Sequence, residues 1–106
     1  MTSHEVANRL VELCKQFKNF DAMQELYAED IVSVEAMPNA AGAKETKGKE
    51  AVIGKSAAWA AQHEIHSASA EGPYLAGDRF AVVFQFAVTP KATGQRLELQ
   101  EVAVYT

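Results

Sequence analysis

Cysteine occurs once in the 106 residues, at Cys14, so no intrachain disulfide can form and nothing points to an oxidising compartment. No apolar run approaches the roughly 20 residues needed to span a bilayer. The opening Met1-Thr2-Ser3-His4-Glu5 lacks the basic and then apolar regions of a signal peptide. Basic residues number 10 against 14 acidic ones, giving a net charge of −4. An acidic domain with scattered lysines is a poor electrostatic partner for nucleic acid or an anionic membrane. Neither a glycine-rich phosphate loop nor a serine–histidine–aspartate order is visible, and there is no internal repeat or low-complexity tract. The expectation is a reduced, cytoplasmic protein for which no cofactor and no metal is implied.

A hydrophobic content of 48% with 23% charged residues is ordinary for a globular chain and argues against disorder. At this length one domain can bury roughly 65% of the surface its unfolded form exposes, enough for a core without staples. Thr2 and Glu5 have capping-box spacing, and Val6, Leu10, Leu13, Cys14 and Phe17 recur at intervals of three and four. Together they predict a helix over about 3–18 with one apolar stripe. Asp21 and Gln24 predict the start of a second short helix, with Ala22, Met23, Leu26 and Tyr27 inward. Ile31-Val32-Ser33-Val34-Glu35 reads as a strand, and residues 36–47, with Pro38, Asn39 and Gly42, as a long mobile loop. A third helix is expected over Lys49–Gln62. Three strands follow near 63–73, 79–90 and 96–106, joined at Gly72-Pro73 with Gly77-Asp78 and at Pro90 to Gly94. The expected class is α+β, with N-terminal helices packed into the hollow of a curved antiparallel sheet.

Alternation in the strands singles out candidate site residues. Phe80, Val82, Phe84, Phe86 and Val88 share one face, as do Leu97, Leu99, Glu101, Ala103 and Tyr105. One carboxylate therefore interrupts an apolar row. Glu101 is either a carboxyl whose pKa is raised by desolvation, able to exchange a proton, or a rim glutamate that is solvated or paired to an arginine. His63-Glu64-Ile65-His66 superficially suggests zinc. The spacing of three on a strand makes the two histidines diverge, however, and no further ligands are evident. His66 alone is a candidate acid/base group or hydrogen-bond donor, or else a histidine satisfied by its neighbours. Phe17, Trp59, Phe84, Phe86 and Leu99 are candidate pocket lining, with plain core as the competing reading. Cys14 reads as a small core residue and Tyr27 as core with its hydroxyl at the rim. Lys44, Lys47, Lys49 and Lys55, set beside Glu45 and Glu50, read as solvated surface. Val83, Val102 and Val104 are apolar on the side away from the helices, which predicts a homodimer through the outer sheet face.

Three stretches, taken with this order of elements, resemble the nuclear transport factor 2-like superfamily and its SnoaL-like branch. They are Phe20-Asp21-Ala22-Met23-Gln24-Glu25-Leu26-Tyr27-Ala28-Glu29-Asp30-Ile31, Gly48-Lys49-Glu50-Ala51-Val52-Ile53 and Glu101-Val102-Ala103-Val104-Tyr105. The resemblance covers almost the whole chain. It implies a cone-shaped α+β barrel, a cavity closed by the helices, and often a homodimer. Functions in the superfamily run from ketosteroid isomerases and polyketide cyclases to non-catalytic binding modules, so fold alone does not choose. The isomerase constellation carries over poorly. Ala36 falls where the catalytic base would stand and Glu35 beside it faces the other way. Leu13 or Cys14 occupies the tyrosine position, and only the second acid has a counterpart, in Glu101. The implied functions are therefore cofactor-independent acid/base chemistry on a small apolar metabolite through Glu101 and His66, or a non-catalytic dimeric module that binds a ligand or partner. The resemblance also implies one more strand after Glu101–Tyr105, covering an edge that a neighbouring chain could alternatively cover.

Overall fold

The computed structural model describes residues 2–34 and 44–106. Their order is α1 (Ser3–Lys15), α2 (Asn19–Leu26), β1 (Val32–Val34), β2 (Glu45–Lys47), α3 (Lys49–Gln62), β3 (His63–Ala76), β4 (Arg79–Pro90) and β5 (Leu97–Tyr105). This is the expected α+β class. None of the helices is long and apolar enough to cross a membrane.

Helix α1 begins as its sequence dictates. Thr2 Oγ1 accepts from the Glu5 amide while the Glu5 carboxylate reaches back to the Thr2 amide, satisfying two groups that helix geometry leaves open. Its end is a correction to the sequence reading. Phe17 adopts a left-handed backbone with φ of 61°. The Phe17 amide donates to Cys14 O at 3.1 Å and the Lys18 amide to Leu13 O at 2.9 Å. These two bonds make a Schellman motif, in which the left-handed residue turns the chain away from the helix axis. Phe17 therefore leaves the apolar stripe and is 70% exposed.

Helix α2 starts three residues earlier than expected, with Lys18 rather than Asp21 as N-cap and no side-chain capping bond; Asp21 sits in its first turn. The expected loop over 36–47 contains β2 at its end, pairing antiparallel with β1 through Val32–Lys47, Ser33–Thr46 and Val34–Glu45. Glu35, Ala36 and the rest of that loop up to residue 43 lie outside the described residues. Two of the lysines read as solvated surface prove to be cross-links: Lys49 Nζ donates to Gln24 O at 2.6 Å and Lys55 Nζ to Ser33 Oγ at 3.0 Å. A fork of two bonds from Arg9 to Glu25, at 2.9 and 3.2 Å, joins α1 to α2.

The main sheet has the order β3-β4-β5, antiparallel throughout. Gly72-Pro73 does not end β3 as expected. The strand continues to Ala76 across an irregularity between Glu71 and Tyr74, and that bond is cis. Gly72 has φ of 126°, and a Cβ there would meet Ala81 O at 3.1 Å, so the position requires glycine. Helix α1 packs over β3 and β4. Leu10, Val11, Leu13 and Cys14 meet Ala70, Phe80, Val82 and Phe84 in the core. No helix covers β5 comparably, and the outer edge of β5 has no ladder partner among the described residues.

Two substitutions test this packing. Leu10→Ala is expected to cost about 2–5 kcal/mol in urea unfolding, because it opens a hole in the core. Phe17→Gly should be neutral or stabilising by up to about 1 kcal/mol, since it relieves left-handed strain at an exposed site. A loss from Phe17→Gly as large as that from Leu10→Ala would contradict the outward placement of the ring.

Candidate functional site

Directly opposed residues of neighbouring strands share a face, so the register fixes what lies beneath the helices. Across β4 and β5 the helix-facing pairs are Phe80–Tyr105, Val82–Ala103, Phe84–Glu101, Phe86–Leu99 and Val88–Leu97. Glu101 therefore lies on the core side, beside the phenylalanine row. Burial changes along the width of this face. Val82 and Val88 of the central strand are fully buried, whereas Leu99 and Glu101 on the edge strand are exposed, Leu99 by 37%. The helix-facing side is therefore open along β5. Phe84 and Phe86 stack with ring centroids 6.1 Å apart, Phe84 within the core, and Leu97 and Leu99 flank them at the sheet edge. Trp59 of α3 approaches from the other side, 5.8 Å from Phe86.

Two tyrosines adjoin Glu101. The Tyr105 ring stacks on Phe80 at 4.9 Å, and its hydroxyl shares a hydrogen bond with that of Tyr27. Burial is the main reason both phenols are pushed above their ordinary range, and the Glu101 charge adds to the effect on each. The shared bond raises Tyr105 and lowers Tyr27, as expected when Tyr105 is the donor. Cys14 lies close enough to influence both tyrosines, and burial pushes its thiol up to about 11. It is a neutral core thiol at physiological pH. Tyr105 was visible in the alternating row; its pairing with Tyr27, from a helix almost eighty residues earlier, had no local signal.

The two histidines of the His63–His66 segment separate. A one-residue irregularity between Ile65 and Ser67 leaves His66 outside the regular pairing. Its Nε2 lies 2.7 Å from Thr89 Oγ1. Thr89 alternates with Val88 and so belongs to the outer face. Glu101 and His66 are consequently not brought together, which corrects the expectation of a joint acid/base pair. His63 closes α3 and stacks on Trp59 at 4.3 Å. Of the five expected lining residues, Trp59, Phe84, Phe86 and Leu99 share the helix-facing side; Phe17 does not, for the backbone reason given above. Two open clefts of about 250 and 650 Å³ lie instead at the start of α3. Glu29, Lys49 and Glu50 line both, and neither includes Trp59, Phe84, Phe86, Leu99 or Glu101. Among the described residues no group of three or more His, Cys, Asp or Glu is placed to hold a metal ion.

The family model of the SnoaL-like domain matches residues 1–106. The chain belongs to the SnoaL-like domain family. A comparison with curated proteins finds no match. Among solved structures, this SnoaL-like domain is similar to a candidate SnoaL-like polyketide cyclase from Mesorhizobium loti. The two share 47% identity with a TM-score of 0.94, over 100% of this chain and 89% of the other. It also resembles a candidate isomerase from Bacillus subtilis, at 17% identity and a TM-score of 0.75 over 98% and 78% of the two chains. At that identity the second similarity speaks for the fold alone.

The half-buried phenols and the buried thiol make a prediction about alkaline stability. Groups whose pKa is raised on folding hold protons that the unfolded chain releases, so stability is intact below the unfolded pKa values and falls as pH rises above them. For this SnoaL-like domain the loss should begin near pH 9 through Cys14 and strengthen beyond about pH 10 through Tyr105 and Tyr27. Urea unfolding at pH 8 and pH 10.5 measures it, and Tyr105→Phe should make the decline shallower. An identical decline in the variant would exclude Tyr105 as a contributor.

Proposed function

We propose that the helix-facing trough along β5 binds a small, largely apolar metabolite. Glu101 is its polar contact, and Trp59, Phe84, Phe86 and Leu99 form its apolar lining. The observation that carries this reading is the position of Glu101, directly across from Phe84 and between exposed Leu99 and the Tyr27–Tyr105 pair. A carboxylate in such a setting can accept a proton from, or hydrogen-bond to, a ligand hydroxyl or acidic C–H. The neutral phenols beside it are suited to donate to an oxygen that gains negative charge. Such chemistry needs no cofactor. Similarity to the candidate polyketide cyclase supports this class of activity. A further strand against the open edge of β5, from the same chain or a second copy, would wall the trough on its outer side. The lone thiol suits a reducing, cytoplasmic setting.

A second reading, a dimeric ligand- or partner-binding module without catalysis, is favoured by the separation of His66 from Glu101. We propose that dimerisation in either case uses the outer sheet face. There Val102 and Val104 are 63% and 67% exposed, with Val83 directly across from Val102. Exposed aliphatic groups clustered on one sheet face are the pattern of a contact surface.

Native mass spectrometry against a panel of hydroxylated aromatic compounds tests the trough. Glu101→Gln keeps the shape and removes the charge, so hits should bind about tenfold or more weakly, the scale of a hydrogen bond to a charged group. Hits that bind wild type and Glu101→Gln equally would remove Glu101 from the site. For the dimer, sedimentation at micromolar concentration should give twice the chain mass, and Val104→Asp should halve it. A wild-type monomer would end that proposal.

A further inference from the structure

We infer that His63, rather than His66, is the histidine serving the trough. Its ligand is then an elongated apolar molecule with a hydrogen-bonding group near each end. This rests on the trough proposed above and adds its second polar anchor. His63 lies across from Pro90, whose alternation places it on the same face as Val88, Phe86 and Phe84. The ring is held in two ways. It stacks on Trp59 with 4.3 Å between centroids and 19° between planes, and Trp59 in turn leans on Phe86. Its Nδ1 lies 2.7 Å from the Trp59 carbonyl oxygen, one helical turn back. A carbonyl oxygen only accepts, so Nδ1 carries the hydrogen, and in the neutral ring the lone pair is left on Nε2.

Tautomer and orientation are thereby both set, which is how an accepting imidazole is prepared for a ligand. Among the described residues no hydrogen bond reaches Nε2 of His63, whereas Nε2 of His66 is occupied by Thr89. A half-buried ring with its accepting nitrogen unclaimed is suited to a hydroxyl donor.

The register also bounds the ligand's length. Phe84, opposite Glu101, and Pro90, opposite His63, are separated by six residues on β4. At about 3.3 Å per residue that is roughly 20 Å along the strand, and crossing from β5 to β3 adds about 10 Å sideways, so the two backbones stand roughly 22 Å apart before inward-reaching side chains shorten the gap. The two polar groups cannot act on one atom. They fit opposite ends of a flat apolar body lying over Phe86, Leu97 and Leu99, with a hydroxyl directed to Nε2.

The probe is 4,4′-dihydroxystilbene, with stilbene as its apolar control, measured by titration calorimetry and imidazole nitrogen NMR. The neutral His63 ring should be the Nδ1–H tautomer, and the diol should shift its Nε2 resonance while leaving that of His66 in place. His63→Phe keeps the stack and removes the acceptor; it should weaken diol binding about three- to tenfold and leave stilbene unchanged. If Glu101→Gln weakens the diol but His63→Phe does not, or if the His63 Nε2 resonance stays fixed while the diol binds, the role of His63 is overturned and the trough stands. Should wild type bind neither compound, the trough itself fails and this inference with it. The wild-type NMR measurement decides the matter even where His63→Phe does not fold.

Discussion

The central strand β4 is the constraint on which the remaining structure depends. Among the described residues it is the one strand of the main sheet with a neighbour on both sides, and its even-numbered residues from Phe80 to Val88 all point beneath the helices. Because side chains alternate with period two, pairing with β4 assigns a face to every regularly paired residue of β3 and β5. Leu10, Leu13 and Cys14 of α1 then have one surface to pack on, and they cover the middle of the sheet. The edge strand receives the same orientation without the same cover. An apolar row that is inward by register is thereby left accessible from the side, with Leu97 and Leu99 exposed.

Charge placement follows from that geometry. Glu101 on a central strand would have been buried at a cost of several kcal/mol without a partner. On β5 it keeps access to solvent while standing beside two phenols and a phenylalanine row. The position combines an ionisable group with an apolar surface at low cost in stability. The cross-links from Arg9, Lys49 and Lys55 hold the helices and the small β1–β2 sheet around the core without entering it. The same sheet presents two different faces. One carries the carboxylate and aromatics, and the other carries exposed valines and the His66–Thr89 contact.

Much was legible in the residues before any coordinates. The Thr2–Glu5 box, the limits of α3, the span of β4 and the shared face of Phe84 and Glu101 depend on local capping, composition and period-two alternation, which act within a few residues. These decide element type and facing, and they led to the SnoaL-like resemblance that the family match bears out.

What only the tertiary structure decided depends on groups distant in sequence. The left-handed Phe17 was hidden because a helical stripe gives no sign of where a Schellman turn expels its last member. Polar β2 has no apolar period to announce it and exists through pairing with β1. The irregularity between Ile65 and Ser67 leaves His66 outside the regular pairing, and a bulge is set by the partner strand rather than by the bulged residues. Tyr27 meets Tyr105 only because α2 and β5 are brought to the same end of the core. Sequence determined which residues could face inward. Packing determined which of them are covered, which meet, and which remain exposed, because coverage belongs to the partner surface and not to the residue itself.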